Sequence, residues 1–303
     1  MSTPTTTGVM TDRVAWTSRF ADFWELTKPR IVAMELITIA MGFYLAAGSQ
    51  WSPLVLVATL LGTGLVAGSA STLNMWLERD LDAMMVRTAN RPLPAGRVVP
   101  WHAVVYGLLL LAGGVALLAI GPGAPTLTLG LICWCLYVVI YTPLKTRSTL
   151  NTAVGAASGS LPIVMGWVAA GGKLDWVGCA LFGVLYLWQY PHFMAIAWRC
   201  KDDYQRGGYV MSTTVDPSGR RAGQLAIIGS LLLIPVSLVP IMVSDSMLLS
   251  SAYAIWCVLL AGVYLWASVV FARSPGDVSS RLLLRASLIY LPCWILGLFL
   301  VAI

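Results

Sequence analysis

Long apolar runs with almost no charge inside them recur along the chain and constrain its fold more than any other feature. A helix needs about 20 mostly apolar residues to cross a bilayer. Nine runs meet or approach that length, at approximately 31–47, 53–73, 103–120, 126–141, 150–170, 176–197, 223–243, 249–271 and 282–302. None alternates polar and apolar residues as a membrane barrel strand would. We therefore predict an all-α polytopic membrane protein, a bundle of nine transmembrane helices.

Composition argues against a soluble alternative. Of the 303 residues, 58% are hydrophobic and 11% are charged, whereas soluble domains carry about 25% charged residues. A soluble globule of this size could not bury so much apolar surface. The net charge of +6 by itself would be compatible with nucleic acid, but the placement of the charges favours a lipid bilayer as the partner.

The positive residues fall almost entirely on one side of the predicted membrane. Eighteen of the nineteen Lys and Arg residues precede the first run or follow the second, fourth, sixth and eighth runs, and the exception is Lys173. Positive residues concentrate on the cytoplasmic side of membrane proteins. We predict a multi-pass protein of a bacterial plasma membrane, with a cytoplasmic N-terminus and an external C-terminus.

The links between the runs are as uneven as the charges. Residues 1–25 begin with a Ser/Thr-rich stretch and precede the first run, so we expect a flexible cytoplasmic segment there. Residues 26–303 then form a single membrane domain. Two long cytoplasmic links, at about 74–101 and 198–222, hold most of its polar residues, and links of that length are typically functional when they are ordered.

The first long link opens with a polar stripe. Asn74, Glu78 and Asp82 are spaced four residues apart, so on a helix their oxygens share one face. Oxygen-only ligands of this kind suit Mg²⁺, which often bridges to phosphate. Arg87 and Arg91 follow and could bind phosphate oxygens. The alternative is a solvated helix end stabilised by ion pairs.

The second long link repeats the combination of acids and bases. Asp202 and Asp203 follow Lys201, and a solvated loop would explain adjacent acids equally well. Two acidic clusters on one side of the membrane, with basic side chains between them, favour a Mg²⁺–diphosphate site. Lys145 adds positive charge from a shorter link on the same side, and Tyr141 lies one turn before it, where it could hydrogen-bond a phosphate.

Two ionisable residues inside the predicted spans are candidates for a functional role. Glu35 is in the first, where an ionisable side chain is a candidate functional group; the alternative is a protonated carboxyl with a hydrogen-bonded neighbour. His192 lies near the cytoplasmic end of the sixth, directly after Pro191. It is either a structural residue at a helix break or a contact for an acceptor molecule.

These motifs resemble those of the intramembrane UbiA-type prenyltransferases. Residues 74–82 (NMWLERDLD) with 87–92 (RTANRP) resemble the first aspartate-rich motif of that family, and residues 201–203 (KDD) with Gly207 resemble the second. Within the family, the fuller strings 26–30 (LTKPR), 90–96 (NRPLPAG), 141–145 (YTPLK) and 191–195 (PHFMA) resemble members that farnesylate heme. Two positions depart from the family pattern: the middle acid of the first motif is Glu78, and Arg199 stands where the second motif often has an acid.

The resemblance implies a reaction and a set of roles. Farnesyl diphosphate would donate its farnesyl group to a vinyl group of heme b with addition of water, in the presence of Mg²⁺. The implied metal ligands are Asn74, Glu78, Asp82, Asp202 and Asp203. The implied diphosphate contacts are Arg87, Arg91, Tyr141, Lys145 and Lys201. His192 and Arg199 would contact heme, although Arg199 could bind diphosphate instead.

The same resemblance implies partners and leaves two competing functions open. A heme A synthase or terminal oxidase assembly factors are the implied protein partners, and nucleic acid is not implied. The chain could instead prenylate an aromatic or quinone precursor by the same chemistry. A heme carrier or transporter without covalent chemistry is the alternative from a different class, but it would not need two acidic clusters on one side of the membrane.

Overall fold

The computed structural model describes residues 19–47, 51–243 and 246–302. Within these ranges the chain forms nine long helices and no β-strand. The helices are α1 (Pro29–Ala47), α2 (Pro53–Asp82), α3 (Pro100–Ile120), α4 (Ala124–Leu144), α5 (Asn151–Ala169), α6 (Trp176–Arg199), α7 (Arg220–Met242), α8 (Met247–Arg273) and α9 (Asp277–Ala302). Two short helices, Lys201–Arg206 and Ser212–Val215, lie in the link between α6 and α7.

Eight of these nine helices are long and apolar enough to cross a membrane. The exception is α6, whose 24 residues suffice in length but include a polar stretch with Gln189 and His192. This helix packs against α5, α7 and α9, so its polar residues face protein rather than lipid tails. The predicted all-helical membrane fold is confirmed, whereas the count of nine spans is not established by composition.

Helix α2 extends well beyond its apolar run. It begins with Pro53 in the first turn and with Ser52 as N-cap, whose hydroxyl accepts a hydrogen bond from the amide of Val55, a common helix start. It continues to Asp82, so the first polar motif occupies its last turns. The predicted helical stripe is therefore present, and it lies at the end of a span rather than in a loose link.

Helices α1 and α5 cross at backbone contact. A Cβ atom added at Gly166 would lie 1.9 Å from the carbonyl oxygen of Ile39, and one added at Gly42 would lie 2.0 Å from that of Ile163. No side chain fits at either position, and small residues at such crossings let membrane helices approach closely. The crossing fixes the face that α1 presents to the interior of the bundle.

The N-terminal region and the first link are joined by ion pairs. Residues 19–26 are helical. Arg97 donates to Asp22 at 2.7 Å and to Glu25 at 3.1 Å. The hydrogen bond that Arg97 donates to Asp22 is the main cause that raises the pKa of Arg97. Of the segment predicted to be flexible, residues 1–18 lie outside the described residues.

Candidate active site

The three polar side chains of the first motif are buried, and each accepts a hydrogen bond from a basic side chain. Asn74, Glu78 and Asp82 are at most 4% exposed. Lys145 Nζ lies 2.6 Å from Glu78 Oε1, and Arg91 Nη1 lies 2.6 Å from Asp82 Oδ2. Buried charges are stable only when they are paired in this way. The stripe is therefore not a solvated helix end.

Lys28 completes the set from the start of α1. Its Nζ donates to Asn74 Oδ1 at 2.6 Å, while Asn74 Nδ2 donates to the Thr142 hydroxyl at 2.9 Å. Lys28 has φ of 50° and is the only non-glycine residue with positive φ in the described part of the chain, a strained backbone of the kind found at functional sites. Burial, aided by the charge of Arg91, lowers the pKa of Lys28 to about 7. A bound anion would oppose that shift.

Aromatic rings surround the ammonium group of Lys145. Its Nζ lies 4.7 Å from the ring centre of Tyr141 and 5.6 Å from that of Tyr209. Burial works against the charge on Lys145, but Glu78 outweighs it and holds the pKa of Lys145 well above its ordinary value. The Tyr209 hydroxyl is buried and has no hydrogen-bond partner among the described residues. It is an unused polar group beside the Glu78–Lys145 pair.

The second acidic motif lies against the first link. Asp203 accepts a hydrogen bond from the backbone amide of Val86 at 3.2 Å and pairs with Arg206. The hydrogen bond from Arg206 lowers the pKa of Asp203 below its usual range. Asp202 is exposed, and Lys201 Nζ lies over the ring of Trp198, 4.8 Å from its centre.

An apolar cavity of about 450 Å³ opens inside the bundle below these charges. Six helices line it: α1, α2, α4, α5, α6 and α9. Its walls are mostly aliphatic and aromatic, and Tyr141 forms part of the wall near Lys145. We call the cluster of charged and polar side chains above the cavity the head region: Lys28, Asn74, Glu78, Asp82, Arg91 and Lys145. A head region of this kind above an apolar chamber suits an amphiphilic ligand whose polar end is anionic.

His192 projects into this cavity from α6 in a fixed orientation. Its Nδ1 lies 2.8 Å from the Ser287 hydroxyl on α9, and its ring stacks on Trp188 at 4.8 Å between ring centres. The Trp188 indole in turn donates to the backbone carbonyl of Ser287 at 2.7 Å. Nε2 is left without a hydrogen-bond partner among the described residues. Arg199, in contrast, is exposed at the end of α6 and does not line the cavity.

The structure thus brings together one part of the predicted set and separates another. Predicted residues that share the buried cluster are Asn74, Glu78, Asp82, Arg91, Tyr141 and Lys145. The remaining predicted residues outside the cavity lie in or next to the two links: Arg87, Arg199, Lys201, Asp202 and Asp203. Sequence reasoning did not assign Lys28, Tyr209 or Ser287 to the site. Lys28 belongs to the string LTKPR at residues 26–30, so the sequence did point to its segment. Ser287 is 95 residues from His192, and no sequence pattern predicted their contact.

The buried donor set fits Mg²⁺ in its chemistry. It offers two carboxylates and an amide oxygen, and hard oxygen ligands are those Mg²⁺ prefers. In the described part of the chain, no three acidic, histidine or cysteine side chains are close enough to hold a metal ion by themselves. A site of this composition suits a metal whose other ligands come from water and from the phosphate oxygens of a substrate.

The chain belongs to the UbiA prenyltransferase family, whose model matches residues 36–300. This confirms the family inferred from the motifs. Two similar relatives are each named protoheme IX farnesyltransferase. The one from Rhodopirellula baltica is 41% identical over 279 residues, which cover 90% of this chain and 96% of the relative. The one from Solibacter usitatus is 38% identical over 280 residues, covering 89% and 95%.

Solved structures share the fold at much lower identity. A UbiA homolog from Archaeoglobus fulgidus, bound to DMAPP and Mg²⁺, has a TM-score of 0.73 at 17% identity and covers 93% of this chain and 99% of its own. A digeranylgeranylglyceryl phosphate synthase has a TM-score of 0.78 at 15% identity and covers 94% and 99%. These similarities confirm the fold.

Proposed function

We propose that the protein is a protoheme IX farnesyltransferase. It transfers the farnesyl group of farnesyl diphosphate to a vinyl group of heme b, adds water, and releases heme o and diphosphate. The observation that carries the proposal is the buried cluster of Lys28, Arg91 and Lys145 with Glu78 and Asp82, placed directly above an apolar cavity. The names of the full-length relatives specify the acceptor.

The cationic side chains act on the leaving group. When the diphosphate enters, Lys28, Arg91 and Lys145 exchange their present partners for phosphate oxygens. Fixed positive charge then stabilises the negative charge that develops as the allylic C–O bond breaks. Arg87, Tyr141 and Lys201 are further proposed contacts for the diphosphate. Since the cavity walls are apolar, they also keep bulk water away from the farnesyl cation.

Mg²⁺ would neutralise part of the diphosphate charge when bound. The residues that would hold it are Asn74, Glu78, Asp82, Asp202 and Asp203. Asp203 can join the ligands of the first motif, because its carboxylate already contacts the first link at the backbone amide of Val86. In the structure, Arg91, Lys145 and Arg206 each pair with one oxygen of Asp82, Glu78 and Asp203, respectively. Those oxygens are released as the bases shift to the phosphates.

An opening between α1 and α9 would admit both substrates from the bilayer. These two helices touch at few points. Met34 on α1 and Leu288 on α9 line the cavity yet remain 63% and 55% exposed. An apolar rim of this kind suits a heme or an isoprenoid that arrives dissolved in lipid. The charge asymmetry supports an orientation with this charged head region and the N-terminus in the cytoplasm.

Product analysis tests the proposal. The purified protein is incubated in detergent with heme b, farnesyl diphosphate and Mg²⁺, and the heme fraction is examined by mass spectrometry. We expect a hydroxyethylfarnesyl heme that is absent when any component is omitted. Parallel incubations replace heme b with an aromatic or quinone precursor. Prenylation of that precursor and no adduct on heme would contradict the proposal, and so would heme binding without any covalent product.

His192 is the proposed axial contact of the heme iron. Its Nδ1 is held by Ser287, so Nε2 is the nitrogen available to the metal, and a hydrogen bond to the other ring nitrogen commonly orients such ligands. We expect His192→Ala to weaken heme binding about tenfold, as measured by Soret absorbance, while affinity for farnesyl diphosphate is unchanged. His102→Ala is the control, because this other histidine is exposed at the start of α3. Unchanged heme affinity would contradict this role, and so would a joint loss of both affinities and of thermal stability.

A further inference from the structure

Glu35 is a carboxyl group inside the bundle that the proposed binding roles do not use. It lies on α1 and lines the cavity. No hydrogen bond or ion pair holds its carboxyl oxygens among the described residues, in contrast to Glu78 and Asp82. On the neighbouring wall from α2, the buried Thr63 hydroxyl also lacks a partner and lines the same cavity. The apolar chamber therefore contains polar groups without protein partners.

Glu35 lies deeper in the bundle than the charged cluster that would hold the diphosphate. It is six residues into α1, about 9 Å from the helix end that follows Lys28. His192 is seven residues before the end of α6 on the same side, about 10 Å deep. Lys28 contacts the first motif at the head region, and the farnesyl carbon that reacts is bonded directly to the diphosphate. The new bond therefore forms below the charged cluster, inside the cavity that Glu35 and His192 both line.

We propose that Glu35 is the general base that deprotonates the water added during the reaction, an inference that depends on the proposed farnesyl transfer. The C–O bond of farnesyl diphosphate breaks and the diphosphate leaves with the electron pair. The vinyl π electrons form the bond to the farnesyl carbon and leave a cation on the vinyl carbon next to the porphyrin ring. Water adds its lone pair to that cation. Glu35 accepts the proton released by the water and later passes it to the departing diphosphate.

The other ionisable groups along the cavity are less suited to this step. His192 has Nδ1 engaged by Ser287, and its Nε2 is assigned to the iron. Cys133, Tyr137 and Tyr141 on α4 offer a thiol and two phenols, and such groups accept a proton readily only after losing their own. Lys28, directly before the first turn of α1, donates its Nζ to Asn74 and does not line the cavity. Among the described groups that line the chamber, Glu35 is the carboxylate available for the proton.

The test compares Glu35→Gln, Glu35→Asp and the control Glu25→Gln, whose carboxylate is exposed and pairs with Arg97 outside the cavity. General bases typically contribute about 10²–10⁴-fold, so we expect Glu35→Gln to slow heme o formation about 100-fold. Its affinities for heme b and farnesyl diphosphate stay within about twofold, and a farnesylated heme lacking the elements of water accumulates. Glu35→Asp restores part of the rate, and Glu25→Gln behaves as wild type.

Several results overturn the role of Glu35. A wild-type rate with only hydroxylated product in Glu35→Gln excludes it as the base. Loss of both substrate affinities together with a lowered unfolding temperature assigns Glu35 to structure instead. The rate of the wild type should also rise with pH as the general base loses its proton, and Glu35→Gln should abolish that rise. A rise with pH that persists in Glu35→Gln contradicts the proposal. If wild-type protein forms no farnesylated heme at all, the proposed function fails independently of Glu35.

Discussion

Replacing Asp82 by Asn should reduce turnover at least about 1000-fold, because charge stabilisation of a leaving group is commonly the largest catalytic term. Asp82 is 1% exposed and positions Arg91 at 2.6 Å. The substitution keeps the shape of the side chain but removes a proposed metal ligand and the partner of Arg91. Turnover is measured as heme o formed at saturating Mg²⁺, and binding of farnesyl diphosphate is measured with and without Mg²⁺.

Asp80→Asn is the matched control for this experiment. Asp80 is two residues away on the same helix, but its side chain is 82% exposed and pairs with Arg79 at 3.4 Å. Exposed pairs contribute little, so this variant should retain turnover within about twofold of wild type. Wild-type turnover in Asp82→Asn, or equal losses in the two variants, would remove Asp82 from the catalytic site.

Replacing Lys145 by Met should both abolish turnover and destabilise the protein. The substitution leaves the Glu78 carboxylate buried without its cation, and breaking a buried pair in this way costs about 3–5 kcal/mol. The double variant Glu78→Gln/Lys145→Met removes both charges. We expect it to recover most of the unfolding temperature and none of the turnover, as measured by thermal unfolding in detergent and by product formation.

The double variant separates a catalytic role from a structural one. If turnover returned together with stability, the Glu78–Lys145 pair would serve only the fold. If the double variant were as unstable as Lys145→Met, the cost would come from lost packing between the lysine stem and the rings of Tyr141 and Tyr209 rather than from the unpaired charge.

The sequence was sufficient to predict the helical membrane fold, because apolar length and charge asymmetry act locally along the chain. The predicted limits of the first span, 31–47, agree closely with Pro29–Ala47. Helix α2 shows where that reasoning ends: its apolar run stops near residue 73, but the helix continues to Asp82. The polar turns of α2 are stabilised by Lys145 and Arg91 from other segments, and no local pattern reveals such partners.

The candidate site was likewise predictable only where the signal is local along the chain. The spacing of Asn74, Glu78 and Asp82 predicted their shared face, and the structure confirms that arrangement. The pairing of His192 with Ser287 depends on the contact between α6 and α9, so it was not predictable from the spacing of residues. Lys28 lies in the string LTKPR at residues 26–30, but that string does not reveal its contact with Asn74. In the structure the contact is made with Lys28 in a left-handed backbone conformation directly before α1.

The pairing of every buried acid in the first motif with a base has a consequence for the life of the protein in the membrane. Small zinc domains unfold without their metal because their ligands have no other partners. Here Lys145 and Arg91 already compensate Glu78 and Asp82, so we expect folding and bilayer insertion to need neither ion nor substrate. Chelation should therefore abolish the proposed Mg²⁺-dependent turnover without lowering the unfolding temperature.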